Sequence, residues 1–392
     1  MRLMIILLLS LVPLSALAAG ADSRLSAEQK VALEALAPGV EVTPELLQLM
    51  EEITLSSERP VAERMRAIGK LAGLADLPME ERTPIRICIW DIAGRAGPIF
   101  QAAREQQAQA MEFGIRLEMI PYTNEGVMVE EFMAGHCEAA LMSGLRARNF
   151  NTYTGTVDAI GAVPDIDHKR VLLEVLSHPS HAGKMAQGEY VVLGIFPAGA
   201  AHVFVRDREI NSLAKAAGRR VAVLDYDPMQ AKMIAGIGAT PVSTDITRAP
   251  GMFNNGSVDV LAAPLVAYEL LELYKGMTPD GGIIDYPLTY LSMQLIGRRS
   301  AFPQEIAQLI REATFEQFDE VLEFLDREMA RVPERWMISI PEEDRQEYEV
   351  MMQDARASLR EMDYYHGDML SLQRRIRCRF QSDRPECSNS AE

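Results

Sequence analysis

Residues 218–264, GRRVAVLDYDPMQAKMIAGIGATPVSTDITRAPGMFNNGSVDVLAAP, alternate strand and helix signals so tightly that few folds can hold them. The apolar run 221–224, rich in β-branched residues, has the length of a buried strand. Asp225, Tyr226, Asp227 and Pro228 break that run and open a helix, with Asp227 suited to the N-cap and Pro228 to the first helical position. The helix stops at Gly236 to Gly238, and 240–242 reads as a second strand. A helical link, the turn Asn254-Asn255-Gly256 and a third strand at 258–262, closed by Pro264, complete the unit. Strand, helix, strand, helix, strand is one half of an open parallel sheet, whose ligands sit beyond the carboxyl ends of the strands.

The same order occurs upstream. Residues 85–91 (IRICIWD) form a strand, 99–113 a helix, 115–120 a strand, 122–135 a link and helix, and 138–142 a third strand. The loop Gly94-Arg95-Ala96-Gly97 lacks the full dinucleotide fingerprint, and no P-loop lysine follows it, so it is not read as a nucleotide site. Its glycines still let the backbone approach a ligand. Arg146 and Arg148 follow the third strand, where their planar forks suit either an anionic ligand or a surface ion pair. Strands at 190–196 and 202–206, separated by Pro197-Ala198-Gly199-Ala200, carry the chain from one unit to the other. A short helix at 210–216 leads into the second unit. A helix then runs from Pro264 to Tyr274, Gly281-Gly282 makes a turn, and 289–296 is the returning strand. Helices at 304–318, up to 329 and at 341–362 brace both units, and the tail after Arg377 is polar. Before the first unit, 23–80 is helical in pattern, with starts at Ser26, Thr43 and Ser57.

Arg2, the apolar run 3–14 and Ala16-Leu17-Ala18 have the layout of a cleavable export signal, too short to span a bilayer. No later stretch reaches spanning length without charge, so the mature chain is expected to be exported, without direct membrane insertion. A net charge of −17 over 392 residues opposes nucleic acid and anionic membrane as partners. Four cysteines in an exported chain suit disulfides. Cys378 and Cys387 would staple the tail. Cys88 and Cys137 come within bonding range if their strands are neighbours, and are otherwise buried thiols. No metal is expected: His178-Pro179-Ser180-His181 lacks further ligands and a helical face. No cofactor motif and no G-x-S-x-G serine motif points to an enzyme.

Gly218-Arg-Arg-Val221, Gly238-Ala-Thr-Pro-Val242 and Asn255-Gly-Ser-Val-Asp259, in that order and spacing, resemble the periplasmic solute-binding proteins of tripartite ATP-independent (TRAP) transporters. Trp90-Asp-Ile-Ala-Gly94 and Phe253-Asn-Asn-Gly256 are similar to an AdeT-like subgroup, some members of which have been described as components of drug efflux. The resemblance implies a two-lobed α/β fold of the periplasmic-binding-protein type II kind, with crossing hinge strands and long C-terminal helices. It also implies capture of a small solute for a membrane permease, with no enzymatic activity. The alternative is an accessory protein of an efflux or other envelope complex, favoured by the N-terminal helices and the acidic C-terminal ones.

The expected organisation is a signal peptide at 1–21, a helical extension at 22–83, lobe one at 84–205 and lobe two at 206–285. The return strand and bracing helices take 286–377, and the tail 378–392. Expected ligand contacts are Trp90, Asp91, Gly94, Arg146, Arg148, Asp225, Tyr226, Asp227, Phe253, Asn254 and Tyr268. Where most of the family places a carboxylate-holding arginine, this chain has Ala222, preceded by Arg219 and Arg220. That departure weakens the case for an organic acid, and the acids Asp225 and Asp227 beside Tyr226 suit a cationic or polar solute instead.

Overall fold

The computed structural model describes residues 43–71, 78, 83–382 and 384–388; the expected signal peptide and the helix start at Ser26 lie outside them. In chain order the strands are β1 Ile85–Trp90, β2 Leu117–Tyr122, β3 Ala139–Ser143, β4 Ala186–Gln187, β5 Tyr190–Val205, β6 Arg220–Leu224, β7 Thr240–Thr244, β8 Val260–Pro264, β9 Gly282–Ile284, β10 Thr289–Arg298 and β11 Met337–Ile338. The helices of eight residues or more are α1 Pro44–Thr54, α2 Val61–Leu71, α3 Pro98–Glu112, α4 Glu125–Met133, α5 Ile166–Ser177, α6 Pro228–Gly236, α7 Gln304–Glu316, α8 Phe318–Met329, α9 Glu342–Glu361 and α10 Gly367–Phe380.

One path of paired strands, β2-β1-β3-β10-β5-β8-β6-β7, runs through the molecule. Its two ends are the same motif: β1 lies between parallel neighbours β2 and β3, and β6 lies between parallel neighbours β7 and β8. The internal repeat read from sequence is therefore a repeat of topology. Asp227 caps α6 as expected, its carboxylate accepting from the Met229 and Gln230 N–H groups with Pro228 in the first turn.

The middle of the path joins the halves. β10 is antiparallel to β3 on one side and to β5 on the other. β5 then continues to pair with β8 and β9. The two strands expected at 190–196 and 202–206 are thus one strand of 16 residues. Pro197 does not end it because the register shifts between Tyr290 and Ser292 of β10, and Gly199 takes φ +86° next to the irregularity. The helix expected after Pro264 is two short ones, Ala267–Leu270 and Tyr274–Met277, broken at Glu272 with φ 52°. Gly282 begins β9 rather than turning the chain. β9 and its partner β11 are too short to show an alternation in the sequence.

The core divides with the sheet. Ile89, Phe132, Met142 and Leu172 are among the residues packed in the first half. In the second half, Phe204, Phe253 and Tyr268 fill one cluster, while Val205, Val221 and Val260 fill another with Tyr348 and Met352 of α9. The extension is not free of the body: Met50, Val61 and Ile68 pack on Ile306 and Leu309 of α7, and Arg64 pairs with Glu312. Both expected disulfides are formed, Cys88–Cys137 and Cys378–Cys387, with Cα–Cα separations of 5.9 and 5.6 Å. Ahead of Cys387 the described end of the chain is pinned, since Arg377 donates to Glu386 at 2.6 Å and to the Ala162 carbonyl at 2.7 Å.

A buried ion pair fastens α5 to the crossing strands. Lys169 Nζ donates to Asp158 Oδ1 at 3.1 Å and to the Tyr290 carbonyl at 2.7 Å, while Ser292 N and Oγ each donate to Asp158 Oδ2 at 3.0 Å. Burial pulls the Lys169 pKa down, and the Asp158 carboxylate opposes that fall. Lys169→Met leaves the carboxylate buried without its cation, and we expect a loss of about 3–5 kcal/mol in urea unfolding. Lys169→Met combined with Asp158→Leu should recover much of it.

His202 on β5 is buried, with Nδ1 3.0 Å from the Ile284 carbonyl. Burial lowers its pKa from the ordinary 6.5, against the pull of the Ile284 carbonyl and Asp285. The unfolded chain then takes up a proton that the fold resists. Stability present above about pH 6.5 is lost as the pH falls below it. His202→Asn keeps a donor for Ile284, so melting curves at pH 7.5 and 5 should lie closer together in the variant than in the parent.

Candidate ligand-binding site

The carboxyl ends of β1 and β3, and those of β6 and β8, point toward one region, as parallel sheets of this kind require. A cavity of about 1180 Å³ takes in that region and extends beyond it to α2, α3, α7 and α8. Trp90, Ser143 and Arg148 of the first half line it, with Ala201 and Ser292 of the crossing strands, Ala222 and Ala262 of the second half, and Tyr364 and Tyr365 between α9 and α10. Most of the lining is aliphatic or aromatic, including Ile160, Phe196, Leu224, Met233 and Met351.

Four of the residues expected from sequence line this cavity: Trp90, Asp91, Arg148 and Asp227. The Asp91 carboxylate is 1% exposed and accepts from Ala93 N at 2.9 Å and Phe100 N at 3.0 Å, so it holds the entry to α3. A Cβ added at Gly97 would lie within about 2.2 Å of that carboxylate, which explains the glycine. Gly94 sits in the same turn with φ 61°. It is not among the cavity's lining residues.

Arg146 and Tyr226 meet outside the lining, across the two halves. The guanidinium lies 3.7 Å from the Tyr226 ring centroid, a close cation–π contact. Behind it, Glu125 is 1% exposed, 3.6 Å from Arg146 Nε, and accepts from Ser143 N at 2.7 Å. Burial pushes the Glu125 carboxyl up, while Ser143 and Arg146 pull it down. The Tyr226 phenol is pushed up by burial and by the Glu125 charge.

A second contact joins three parts of the chain. Tyr364 Oη donates to Asp227 Oδ2 at 2.7 Å, and Arg148 stacks 3.9 Å from the Tyr364 ring centroid while donating to the Gly155 carbonyl at 2.9 Å. Burial raises the Asp227 pKa, and the Arg148 charge and the α6 N–H groups oppose the rise. Arg148, Tyr364 and Asp227 therefore form a clasp between lobe one, the α9–α10 corner and lobe two.

The remaining expected residues lie elsewhere. Asp225 is exposed, its backbone N–H bonded to the Thr244 carbonyl at 2.9 Å. Phe253 is fully buried in the second half, and the Asn254 amide bridges Leu271 O and Gly276 N at 3.2 and 3.1 Å. Tyr268 Oη accepts from Trp336 Nε1 at 2.8 Å. Arg219 and Arg220 pair with Asp207 and Asp259, and the cavity lining of that segment is Val221 to Leu224, Ala222 among them. Sequence reasoning missed Tyr364 and Tyr365. The one cue was a tyrosine pair in Asp363-Tyr-Tyr-His-Gly367, where Asp363 takes φ 55° and breaks two helices.

Among the described residues, no group of three or more His, Cys, Asp or Glu side chains is arranged to hold a metal ion. Tyr364→Phe removes one charge-assisted hydrogen bond from the clasp without changing ring volume. Urea unfolding should show a loss of about 1.5–3 kcal/mol, and an unchanged midpoint would mean the clasp contributes nothing.

A family model described as solute-binding protein AdeT 1/2 matches residues 91–392. The probable solute-binding protein AdeT1 of Acinetobacter baumannii is 34% identical over 304 residues, covering 78% of this chain and 100% of that protein. Solved structures with a similar fold include the TRAP periplasmic solute-binding protein of Desulfovibrio salexigens with bound orotic acid, at TM-score 0.58 and 15% identity, covering 76% of this chain and 99% of that one. The TRAP protein of Haemophilus influenzae with bound L-gulonate gives TM-score 0.60 and 14% identity, covering 75% and 100%.

Proposed function

The chain belongs to the solute-binding protein AdeT 1/2 family, and on that premise we propose that it captures a small solute between its two lobes in the periplasm and hands it to a membrane partner. The observation that supports this reading is the course of the cavity: it takes in carboxyl ends of both parallel trios and is lined by both halves and by the strands that join them. The relatives with this fold hold orotic acid or gulonate, small molecules of the size such a cavity takes. No helix among the described residues is long and apolar enough to cross a membrane, which suits a carrier that docks on a separate permease.

In this reading residues 84–205 and 206–285 act as the lobes, and bending of β5 and β10 opens and closes them. Trp90, Arg148 and Asp227 meet the solute. Arg146 on Tyr226, and Tyr364 on Asp227, are contacts of the closed form. Capture works by population shift: a solute that touches both lobes stabilises the closed form by the difference between its affinities for the two forms. The membrane partner is a TRAP-type permease, and an efflux assembly is the competing one; the subunits that co-purify from detergent-solubilised envelopes discriminate them.

Spin labels at exposed Glu118 on β2 and Ala235 on α6 report lobe separation directly. Protein stripped of solute by unfolding and refolding should show a longer or broader label distance. Addition of periplasmic extract should shorten it. A distance that no extract changes would contradict capture by closure.

A further inference from the structure

We propose, building on the capture reading, that the Cys378–Cys387 disulfide is a reversible modification site: a dithiol protein reductant opens it by thiol–disulfide exchange, and its opening loosens α9, the helix that straps the two lobes together. α9 reaches both halves. Tyr348 and Met352 pack with Val205, Val221 and Val260 of the second half, and Leu359 packs with Ala159 and Ala162 of the first. Between them Arg356, 3% exposed, donates to the Ile160 carbonyl at 2.9 Å.

The end of the chain clamps this strap. Cys378 lies in the last turn of α10, and its bond to Cys387, nine positions on, folds the following stretch back against the body. That stretch sets Arg384 3.4 Å from Glu349 of α9 and Glu386 2.6 Å from Arg377 of α10. Arg377 also donates to the Ala162 carbonyl at 2.7 Å, so the tail, α9 and α10 converge on residues 160–162. Burial pushes the Glu386 carboxyl up, and Arg377, Arg384 and Arg356 more than reverse it, holding it below the ordinary carboxylate range. The helix that carries Glu386, Pro385–Ser388, has four residues and is too short to stand alone. Its position depends on the disulfide and on these ion pairs, and cutting the covalent tie restores the freedom that the closed loop removes.

The two disulfides differ in reach. Cys88 and Cys137 are fully buried, whereas Cys378 and Cys387 are each partly exposed. Exposed Arg375 and Arg379 flank Cys378 along α10, where positive charge favours both an attacking and a departing thiolate. In the exchange one reductant thiolate attacks a sulfur of the bond, and the other cysteine leaves as thiolate. The reductant's second thiol then closes its own disulfide and releases the first cysteine. Two electrons and two protons pass from the reductant to Cys378 and Cys387.

The folded protein, treated with graded dithiothreitol and alkylated with iodoacetamide, is read by peptide mass spectrometry and by hydrogen exchange. Cys378 and Cys387 should alkylate at a reductant concentration at least about tenfold below that needed for Cys88 and Cys137. Amide exchange across 352–361 and 158–162 should rise about tenfold on reduction, stay unchanged in β1 and α4, and return with oxidised glutathione. Cys378→Ser combined with Cys387→Ser should show the raised exchange without reductant; if that variant does not fold, the reduced parent protein supplies the same state. Equal sensitivity of the two disulfides overturns the modification site, and selective alkylation with unchanged exchange overturns the clamp. Neither result bears on capture itself, which the spin-label distances with extract decide: a clamp that responds as expected while no extract changes those distances overturns the capture reading alone.

Discussion

The pairing of β5 with β10 is the constraint on which the rest of this structure depends. A strand of 16 residues starts beside β10 in the first half and ends beside β8 in the second, so neither half is complete without it. Each half on its own is a parallel trio whose carboxyl ends need cover. Joining them through one strand sets those ends face to face and leaves the space between as the natural site. The register shift at Tyr290/Ser292 and the positive φ of Gly199 put the ladder's irregularity at the crossing itself. Bending is easiest where ladder hydrogen bonds are already interrupted. The Lys169–Asp158 pair anchors that same point of β10 to α5 in the first half.

Two polar contacts cross the cleft beside an apolar one, in which Met229 and Met233 of α6 pack on the cluster of Leu359, Tyr365 and Leu370. Arg146 on Tyr226 and Tyr364 on Asp227 are each worth a few kcal/mol at most. Such a pair of fasteners can hold two lobes together and still release them. Each also takes a charged group out of circulation. Arg146 is committed to Glu125, and Asp227 to the first turn of α6 and the Tyr364 hydroxyl. These charges are thus spent on holding the lobes.

Much of the fold was legible in the chain because periodicity and caps are local signals. The two strand–helix repeats, the Asp227-Pro228 helix start, the Thr43 cap and the Cys378–Cys387 pair could be read from neighbours in sequence, whereas Cys88–Cys137, 49 positions apart, depended on the strands being brought together. The continuity of β5 through Pro197 was not, because a bulge depends on the partner strand. β9 and β11 were too short to carry a pattern. Of the candidate site, residues at strand ends were placed near the cleft, as Trp90, Asp91, Arg148 and Asp227 show. Phe253, Asn254 and Tyr268 were nominated for their chemistry alone, and tertiary packing uses them inside lobe two. Tyr364 reaches Asp227 across 137 positions of sequence, a contact that no local window contains.

The central claim is that the space between the lobes belongs to a solute. Native mass spectrometry of the protein, released gently from the cell envelope, measures that occupancy without prior choice of ligand. The account predicts a one-to-one adduct of a small molecule on the parent chain, absent after the protein is unfolded and refolded in clean buffer. A native mass equal to the polypeptide alone, or an adduct that survives unfolding and refolding, would contradict it.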